Sequence, residues 1–209
     1  MPYLMTGLSH QTAPVDVREQ IAFTAPGQQA EALQCLAREL APAEVVLLST
    51  CNRTEVYVAG TDATGEQVRD LLRGIHAGHA TSIDNAYFVE HRCGAAATHL
   101  FRVTAGLESM VLGETDIVRQ VRDSYALAAA NGTTGPRLDA LFHEALRVAK
   151  RARSEMDVSR GVFSVGGAAA DLAGSIFGDL SGRSILLLGA GKMSETTARH
   201  LTASGANTV

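Results

Sequence analysis

The sequence predicts an α+β protein that ends in the first β-α unit of a further α/β domain, and three observations support this fold class. Two apolar runs flank a short polar turn between Val45 and Val58, which is the pattern of a β-hairpin. Helical periodicity dominates from Gly94 to Phe177, and an apolar strand at Ser184–Leu188 then leads into a glycine-rich turn. We therefore expect a catalytic domain over residues 1–160, then a linker helix and an incomplete nucleotide-binding domain over residues 161–209.

Composition places the chain among ordinary globular proteins. It has 209 residues, of which 46% are hydrophobic and 19% charged, and no apolar run approaches membrane-spanning length. The first residues lack the pattern of a signal peptide and the three cysteines form no disulfide framework, which predicts a reducing cytoplasm. The formal charge of −4 argues against non-specific nucleic-acid binding, so a nucleic-acid partner would need a local basic patch.

The first part of the chain alternates strands and helices. A strand at Tyr3–Leu8 precedes a short helix at Val15–Ile21 that begins after Pro14. Pro26 predicts the start of a longer helix, since proline is favoured in the first helical turn. The inward stripe of that helix consists of Ala32, Leu33, Leu36 and Leu40.

The hairpin, a helix at Gln67–Ala77 and a strand at Ala86–Val89 complete this unit. The second hairpin strand, Thr54–Val58, alternates in polarity, which predicts one solvent-exposed face. The resulting order, β-α-β-β-α-β, is that of ferredoxin-like domains. In that arrangement the hairpin turn lies at one end of the sheet, where functional loops tend to occur.

The hairpin turn contains Cys51, which is a candidate nucleophile. A reactive thiolate needs partial exposure and a nearby positive charge, and Arg53 supplies a fixed charge two residues away. Cys35 instead falls at helical spacing among leucines and is predicted to be a small core residue. Spacing alone leaves two interpretations of Cys51 open, a catalytic thiol or a plain turn residue.

The helical region offers further polar candidates. His99 lies on a predicted helix at Ala95–Thr104, where a lone histidine is more often structural than catalytic. A tight turn between Gly106 and Gly113 precedes a helix at Ile117–Ala130. Four other histidine and cysteine residues match no zinc-binding spacing, so no metal site is predicted. These four are His76, His79, His91 and Cys93.

A long helix at Arg137–Asp157 carries the dense cationic run of this sequence. The run consists of Arg147, Lys150, Arg151 and Arg153. Cations near a helix C-terminus complement the helix dipole, whereas on a nucleic-acid-binding surface they would contact phosphates. The sequence leaves both interpretations open, and a helix of small residues begins after the run at Phe163.

The chain ends in the pattern of a nucleotide-binding turn. The strand Ser184–Leu188 is followed by a Gly-x-Gly turn at Gly189–Ser194 and a helix that continues through His200. A glycine pair between a strand and a helix is the phosphate-binding turn of Rossmann domains. We expect this domain to be truncated and its strand to lack a partner, which favours disorder or self-association.

Four stretches resemble the glutamyl-tRNA reductase family, in the order in which that family has them. They are Ser49–Tyr57 around the hairpin cysteine, Gly7–Val15, Gly106–Glu114 and Leu188–Met193. Together they are spread over nearly the whole chain, from Gly7 to Met193. The resemblance implies that the chain belongs to this family, whose reaction opens tetrapyrrole synthesis from glutamate attached to its tRNA.

The resemblance implies a role for each polar candidate. Cys51 would attack the ester that joins glutamate to tRNA, His99 would serve as an acid/base or polarising group, and hydride from NADPH would release glutamate-1-semialdehyde. Arg53 would hold the substrate carboxylate through two parallel hydrogen bonds. The other residues implied to bind substrate are Thr50, Asn52, Ser109, Glu114, Thr115, Asp116 and Gln120. Those implied to bind the cofactor are Gly189, Ala190, Gly191, Lys192, Met193 and Ser194.

The chain departs from the family pattern at a few positions. Asp116 stands where the family usually has glutamine. Ser194 in turn replaces the third glycine of the general Rossmann phosphate turn. An anion at residue 116 would repel a substrate carboxylate but favour the substrate α-ammonium group. Gly166 and Gly167 replace serines, which predicts a looser helix because glycine is a poor helix former.

The resemblance also implies partners. Glutamyl-tRNA is the implied substrate, a homodimer would form through C-terminal helices that this chain lacks, and a downstream aminomutase is a candidate partner. Two rival functions remain. One is a cysteine-dependent acyl hydrolase or transferase that needs no nucleotide, and the other is a non-catalytic tRNA-binding paralogue.

Overall fold

The structure is a computed structural model that describes residues 3–25, 27–76, 83–155, 165–189 and 191–208. None of the helices in these ranges is long and apolar enough to cross a membrane.

A four-stranded antiparallel sheet forms the centre of the larger region. Its strands are β1 (Tyr3–Ser9), β2 (Glu44–Ser49), β3 (Arg53–Ala59) and β4 (Val89–Arg92). They are hydrogen-bonded in the order β2-β3-β1-β4. Ser9 lies opposite Arg53 in the β1–β3 pair, so the hairpin turn and the end of β1 meet where these two central strands end, at one end of the sheet.

Helices pack around this sheet. They are α1 (Val15–Glu19), α2 (Gln28–Glu39), α3 (Gly65–Ile75), α4 (Gly94–Thr104), α5 (Asp116–Ala130) and α6 (Pro136–Glu155). Side chains alternate between the two faces along a strand, so Glu55 and Tyr57 of β3 share one face. Both α4 and α6 pack on this face, since His99 contacts Glu55 and the ring of Phe142 packs edge-on against Tyr57. The helix α3 packs against β1 from the opposite face.

Because both faces of the sheet are covered, every residue of β3 is buried. The prediction of a solvent-exposed face on this strand is therefore wrong. Polar alternation in the sequence reflects a buried polar layer beneath α4 and not contact with water. This buried polar layer forms part of the candidate site.

The bounds of several elements differ from the predicted ones. A 3₁₀ turn at Asn85–Tyr87 replaces the first part of the predicted strand, because the Asp84 carboxylate accepts a hydrogen bond from the amide of Ala86 at 2.9 Å. The helix α3 begins earlier than predicted because Thr64 and Gln67 form a reciprocal capping box.

Some predicted positions lie outside the described residues. They are Pro26, Ala77, Asp157 and Phe163. The helix α2 begins at Gln28, immediately after Gly27 in a left-handed conformation. Its predicted stripe is confirmed, since the side chains of that stripe are buried in the main core.

A smaller α/β region follows. Its elements are α7 (Val165–Phe177), β5 (Ser184–Ile185), α8 (Lys192–Ala203) and β6 (Asn207–Thr208). The strand β5 is shorter than predicted, and the side chains of Leu186 and Leu188 after it are exposed. The expectation that this strand lacks a partner is wrong for Ser184 and Ile185, because the chain returns through α8 and places β6 parallel to them.

The packing of α7 on α8 also explains one departure from the family pattern. A Cβ atom added at Gly166 would lie 2.9 Å from the backbone nitrogen of Thr197. A glycine at this position therefore allows the two helices to approach closely, and the expectation of a looser helix stays a prediction.

Candidate active site

The turn that carries Cys51 is exposed and its backbone is fixed on both sides. The hydroxyl oxygen of Thr50 accepts hydrogen bonds from the amides of Asn52 (3.1 Å) and Arg53 (3.2 Å). The carbonyl of Asn52 accepts a hydrogen bond from the amide of His10 at 2.8 Å. Thr50 and Asn52 therefore shape the turn itself, while the Cys51 side chain is open to solvent.

A buried polar cluster lies next to this turn on the inner face of β3. We call it the Glu55 cluster, and its members are Arg53, Glu55, Tyr57 and His99. The Glu55 carboxylate accepts hydrogen bonds from Nη1 of Arg53 (2.7 Å), the Tyr57 hydroxyl (2.7 Å) and Nε2 of His99 (3.0 Å). Arg53 and Glu55 are only 2% and 1% exposed, so this ion pair is shielded from water. Three donors around one carboxylate hold the cluster in a single arrangement.

The partners of Glu55 decide its charge. Burial alone would raise the pKa of Glu55, but the Arg53 charge and the hydrogen bonds from His99 and Tyr57 lower it to about 2. Burial and the charge of Glu55 raise the pKa of Tyr57 well above its ordinary value, so this phenol remains a donor. The cluster therefore contains a permanent anion that is held by cationic and neutral donors.

Gly7 makes room for this cluster. It lies directly opposite Glu55 in the β1–β3 pair. A Cβ atom added at Gly7 would lie 2.2 Å from the carbonyl oxygen of Thr54 and 3.0 Å from Cγ of Glu55. A side chain at residue 7 would thus collide with β3, which gives the first glycine of the Gly7–Val15 motif a physical reason.

Arg53 is bound on two sides in this structure. Its Nη1 donates to Glu55, and its Nη2 donates to the backbone carbonyl of Glu108. A substrate carboxylate held by two parallel hydrogen bonds would have to use the remaining N–H groups of this buried guanidinium or displace one of these acceptors. Sequence reasoning supplied the charge of Arg53 but not its existing partners.

The segment from Gly106 to Glu114, which we call the pocket loop, forms a second wall beside Arg53. Gly106 and Gly113 both have positive φ angles, of 81° and 79°, as the predicted tight turn requires. The amide of Gly113 donates to the carbonyl of Gly106 at 3.0 Å and closes the neck of the loop. The Glu108 carboxylate accepts hydrogen bonds from Arg102 and, at 2.9 Å, from Gln11. The loop is therefore attached through Glu108 to β3, to α4 and to the turn that follows β1.

Ser109 and Glu114 lie at the inner side of the pocket loop. The hydroxyl oxygen of Ser109 is buried, and Glu114 is only 8% exposed. Burial raises the pKa of Glu114 and the charge of Asp116 adds to this effect, while Ser109 and Arg53 oppose it. The backbone carbonyl of Glu114 accepts a hydrogen bond from Arg153 at 2.8 Å, which fixes this end of the loop to α6.

The remaining predicted substrate residues follow on α5. Thr115 is its N-cap residue, Asp116 is its first residue, and Gln120 is half-buried one turn further on. The Asp116 carboxylate lies 3.9 Å from the guanidinium of Arg119. Within the described residues, no hydrogen bond joins Cys51 to His99 or to the pocket loop. The structure thus gathers these residues around one edge of the sheet without a direct contact to the thiol.

Half of the cationic run on α6 is neutralised within the helix. Arg147 is paired with Glu144, and Arg151 with Glu155 at 3.2 Å. Arg153 instead turns towards the pocket loop, and Lys150 is exposed. Helix-internal ion pairs therefore account for two of the four cations.

The turn predicted to bind a cofactor lies between β5 and α8. Gly189 has a φ of 114° and Gly191 is the N-cap residue of α8, whereas Ala190 lies outside the described residues. A Cβ atom at Gly189 would lie 3.4 Å from the hydroxyl of Ser194, and one at Gly191 would meet no atom within 4 Å. A left-handed glycine before a helix N-terminus suits a phosphate group. Lys192 begins the helix, and Met193 after it is exposed.

Three features of the site were missed by sequence reasoning. Glu55, Tyr57 and Glu108 were not predicted as site residues, although Glu55 and Tyr57 share the strand period with Arg53. That period was the available signal, but it was interpreted as solvent exposure.

His91 packs its ring against His99 at a centroid distance of 4.9 Å. Among the described residues, no group of three or more His, Cys, Asp or Glu could hold a metal ion, and His79 lies outside them.

Comparison with known proteins gives two matches to family profiles. The profile described as glutamyl-tRNAGlu reductase, N-terminal domain, matches residues 6–156. The profile described as shikimate/quinate 5-dehydrogenase matches residues 171–209. The boundary between the two matches falls near the predicted domain boundary.

Individual relatives carry the same family description. The glutamyl-tRNA reductase of Marinobacter nauticus is 43% identical over 205 residues, which are 98% of this chain and 47% of that protein. That of Rubrobacter xylanophilus is 46% identical over 200 residues, with 94% and 46% covered. The solved glutamyl-tRNA reductase from Methanopyrus kandleri matches with a TM-score of 0.70 and 36% identity, covering 98% of this chain and 47% of that chain. The chain spans about half the length of the relatives it matches.

Proposed function

Because the chain belongs to the glutamyl-tRNA reductase family, we propose that Cys51 takes the glutamyl group of glutamyl-tRNA as a thioester. NADPH would supply the hydride that converts this thioester to glutamate-1-semialdehyde, the first step of tetrapyrrole synthesis. The observation that carries the proposal is the exposed thiol at the tip of a hairpin with a fixed backbone. Such a thiol is accessible to a large substrate and keeps its position.

The proposed first step is an acyl transfer. The Cys51 sulfur attacks the carbonyl carbon of the ester, the carbon–oxygen bond to the terminal ribose breaks, and the ribose oxygen leaves with a proton. The product is a glutamyl thioester on Cys51. A thioester accepts a nucleophile more readily than the resonance-stabilised ester, so one difficult reaction becomes two easier ones.

His99 is proposed to move the proton in this step. Its Nε2 lies 3.0 Å from the Glu55 carboxylate, which is ionised and can only accept a hydrogen bond. We therefore assign the Nε2 proton to this bond, which leaves Nδ1 with a free lone pair. In this tautomer His99 serves as a base that Glu55 orients, an arrangement common to nucleophile–histidine pairs.

The glutamyl group is proposed to lie between Arg53 and the pocket loop. Its carboxylate would replace the Glu108 carbonyl as an acceptor on Arg53. Ser109, Glu114 and Gln120 would supply further hydrogen bonds, with Thr115 fixing the start of α5. Asp116 is proposed to face the substrate α-ammonium group, because an anion there would repel the carboxylate. Thr50 and Asn52 contribute by holding the turn around the thiol.

The two predicted domains become part of the same proposal. Residues 1–160 are proposed to form a ferredoxin-like catalytic domain with appended helices, which the strand order β2-β3-β1-β4 supports. Residues 161–209 would begin a Rossmann-type NADPH-binding domain, in which Gly189–Ser194 would hold the cofactor phosphates. The parallel pair of β5 and β6 across α8 supports this part. We further propose that the protein works in the cytoplasm as a homodimer and that a downstream aminomutase is its partner.

The test is to trap the acyl group. The protein is mixed with tRNA carrying labelled glutamate, quenched in acid and digested, and the labelled peptide is identified. Cys51→Ser should abolish labelling. Cys93→Ser is the matched control, because Cys93 is also exposed, and it should label as the wild type does. Equal loss from both variants would contradict the assignment of Cys51.

The same experiment separates the rival functions. A non-catalytic tRNA-binding paralogue should bind the tRNA and leave every cysteine unlabelled. A hydrolase or transferase should label Cys51 and release glutamate or a glutamyl product whether or not NADPH is added. Only a reductase should release labelled glutamate-1-semialdehyde when NADPH is present.

A further inference from the structure

Arg18 differs from most arginines of this protein because nothing accepts its hydrogen bonds. In the described ranges, the other guanidinium groups donate to carboxylates or backbone carbonyls, apart from that of Arg122. Arg122 is exposed on α5, where water solvates its charge, whereas Arg18 is half-buried on α1. A buried guanidinium nitrogen without an acceptor is costly, which makes Arg18 a candidate to bind an anion.

His10 has the same deficiency beside Arg18. Its Nδ1 and the Nε of Arg18 are both buried and have no hydrogen-bond partner among the described residues. Three other arginines also bury Nε, but each donates to an acceptor through a terminal nitrogen. These three are Arg69, Arg73 and Arg153. Among the described arginines with a buried Nε, Arg18 is the one for which no acceptor is found, and its unsatisfied Nε and the unsatisfied Nδ1 of His10 lie in neighbouring segments of the chain.

His10 lies within electrostatic reach of both Arg53 and Arg18. Burial lowers the pKa of His10, and the charges of Arg53 and Arg18 lower it further. Glu108 acts in the opposite direction, as does the hydrogen bond with the Asn52 backbone. A neutral imidazole beside two guanidinium groups is a hydrogen-bond donor in a region of positive potential. Such a region attracts an anion.

The backbone holds His10 rigidly in this region. The carbonyl of Ser9 accepts hydrogen bonds from the amides of Thr12 (3.0 Å) and Ala13 (2.9 Å), which makes residues 9–13 a tight turn. The amide of His10 is itself bound to Asn52, next to Cys51. The position of the His10 side chain is thus tied to the position of the proposed nucleophile.

The segment from His10 to Arg18 adjoins both the Cys51 turn and the pocket loop. The amide of His10 is bound to the carbonyl of Asn52, and Gln11 donates a hydrogen bond to the Glu108 carboxylate. An aminoacyl-tRNA ester at Cys51 would therefore bring its terminal phosphates near the unsatisfied donors of His10 and Arg18.

We propose that His10 and Arg18 form an oxyanion site that receives a backbone phosphate from the 3′ end of the tRNA. Nδ1 of His10 and the guanidinium of Arg18 donate the hydrogen bonds. The inference rests on the proposed function, because it takes an aminoacyl-tRNA as the substrate. A chain with a net charge of −4 and mostly paired arginines needs such a local site to hold a polyanion.

The test measures binding of uncharged tRNA to the protein over a range of salt concentrations. Arg18→Gln should weaken binding about tenfold at low salt and reduce the slope of log K against log salt by about 1, since one phosphate contact is lost. Arg18→Lys should keep the slope but recover only part of the affinity, because lysine cannot offer the fixed fork of donors. His10→Ala should weaken binding without changing the slope, because a neutral imidazole displaces no counterion.

Arg122→Gln is the matched control, since it removes the other unpaired arginine at an exposed place. It should leave both affinity and slope within about twofold of the wild type, as a solvated charge contributes little. An equal effect from the two glutamine variants would overturn the proposal, and so would an unchanged slope in Arg18→Gln. The unfolding midpoint of each variant shows whether a loss comes from misfolding.

A small substrate separates a phosphate from a substrate carboxylate. Acylation of Cys51 by a simple α-ester of glutamate lacks any phosphate, so Arg18→Gln should leave its rate unchanged. A loss with this ester as large as the loss with glutamyl-tRNA would overturn the phosphate assignment. If Cys51 is never acylated while Arg18 still sets the salt slope, the proposed function fails and the oxyanion site stands.

Discussion

Each of the two walls of the candidate site contains a buried carboxylate, and the pKa values of these two carboxylates shift in opposite directions. In the Glu55 cluster, a guanidinium, an imidazole and a phenol surround one carboxylate, and its pKa falls to about 2. In the pocket loop, Glu114 is also buried, but burial raises its pKa and the neighbouring Asp116 adds to the rise. Burial is common to both walls, so the difference comes from the partners. The charge of a buried carboxylate is set by what faces it and not by depth alone.

The two walls also differ in how they are attached. The Glu55 cluster is part of the sheet and is covered by α4, so its members have no other arrangement available. The pocket loop is closed at a glycine neck and attached to its neighbours through Glu108. We expect the first wall to supply stability and orientation, and the second to adjust to substrate.

The largest expected effect comes from removing the anion of the first wall. Glu55→Ala leaves the Arg53 guanidinium buried without its carboxylate, which should cost about 3–5 kcal/mol in the free energy of unfolding. Glu90→Ala is the control, because Glu90 also pairs with arginines but its side chain is exposed to solvent, and it should cost less than about 1 kcal/mol. Denaturant titrations measure both values. Similar losses in the two variants would show that the cluster contributes no special stability.

A smaller effect with opposite signs in the two walls is expected from pH. The folded pKa of Glu55, about 2, lies below its ordinary value of 4.5, so its stabilisation is complete above about pH 4.5. The stability difference between wild type and Glu55→Gln should therefore shrink as the pH falls from about 4.5 to 2. Glu114 has a raised pKa, so the wild type should lose stability relative to Glu114→Gln as the pH rises above about 4.5.

Urea titrations at a series of pH values measure both differences. Parallel curves for wild type and Glu55→Gln would show that this carboxylate has no lowered pKa in the folded state. If the wild type instead gained stability relative to Glu114→Gln as the pH rises, the sign expected for the second wall would be wrong.

The smallest global effect is expected from the attachment of the pocket loop. Glu108→Gln removes the charge that Arg102 and Gln11 contact, which should cost about 1–3 kcal/mol locally and little in global unfolding. Amide hydrogen exchange should accelerate about tenfold within the loop and stay unchanged in β3. Glu144→Gln removes a comparable exposed arginine partner on α6 and is the control. Faster exchange in both β3 and the loop would mean that the two walls open together.

The sequence predicted much of the fold because local signals agreed with the final packing. The hairpin around Cys51, the stripe of α2 and the glycines at both ends of the pocket loop were all correct. Apolar runs, helical spacing and the need for positive φ angles act within a few residues of the chain. The family resemblance depended on such local stretches too, and the profile match over residues 6–156 agrees with it.

The candidate residues were predicted more completely than their contacts. Arg53 was expected to face the substrate, but its acceptors are Glu55 on its own strand and the backbone carbonyl of Glu108 in the pocket loop. The cations of α6 were expected to be either dipole partners or a phosphate surface, and two of the four, Arg147 and Arg151, are held by glutamates on the same helix. The strand around Glu55 was expected to have a solvent-exposed face. Polar residues at every second position are the pattern of such a face, but they are also the pattern of a strand that packs a buried polar layer.

The sequence by itself determined where the thiol lies, which segments form strands and helices, and which family the chain resembles. Those properties follow from residue types and spacings that are close along the chain. The tertiary structure alone decided which charges are paired, because partners such as Glu55 and His99 come from elements that are distant in sequence. Among the described residues, it alone also left Nε of Arg18 and Nδ1 of His10 without hydrogen-bond partners, since a missing partner is a property of three-dimensional packing and leaves no local pattern.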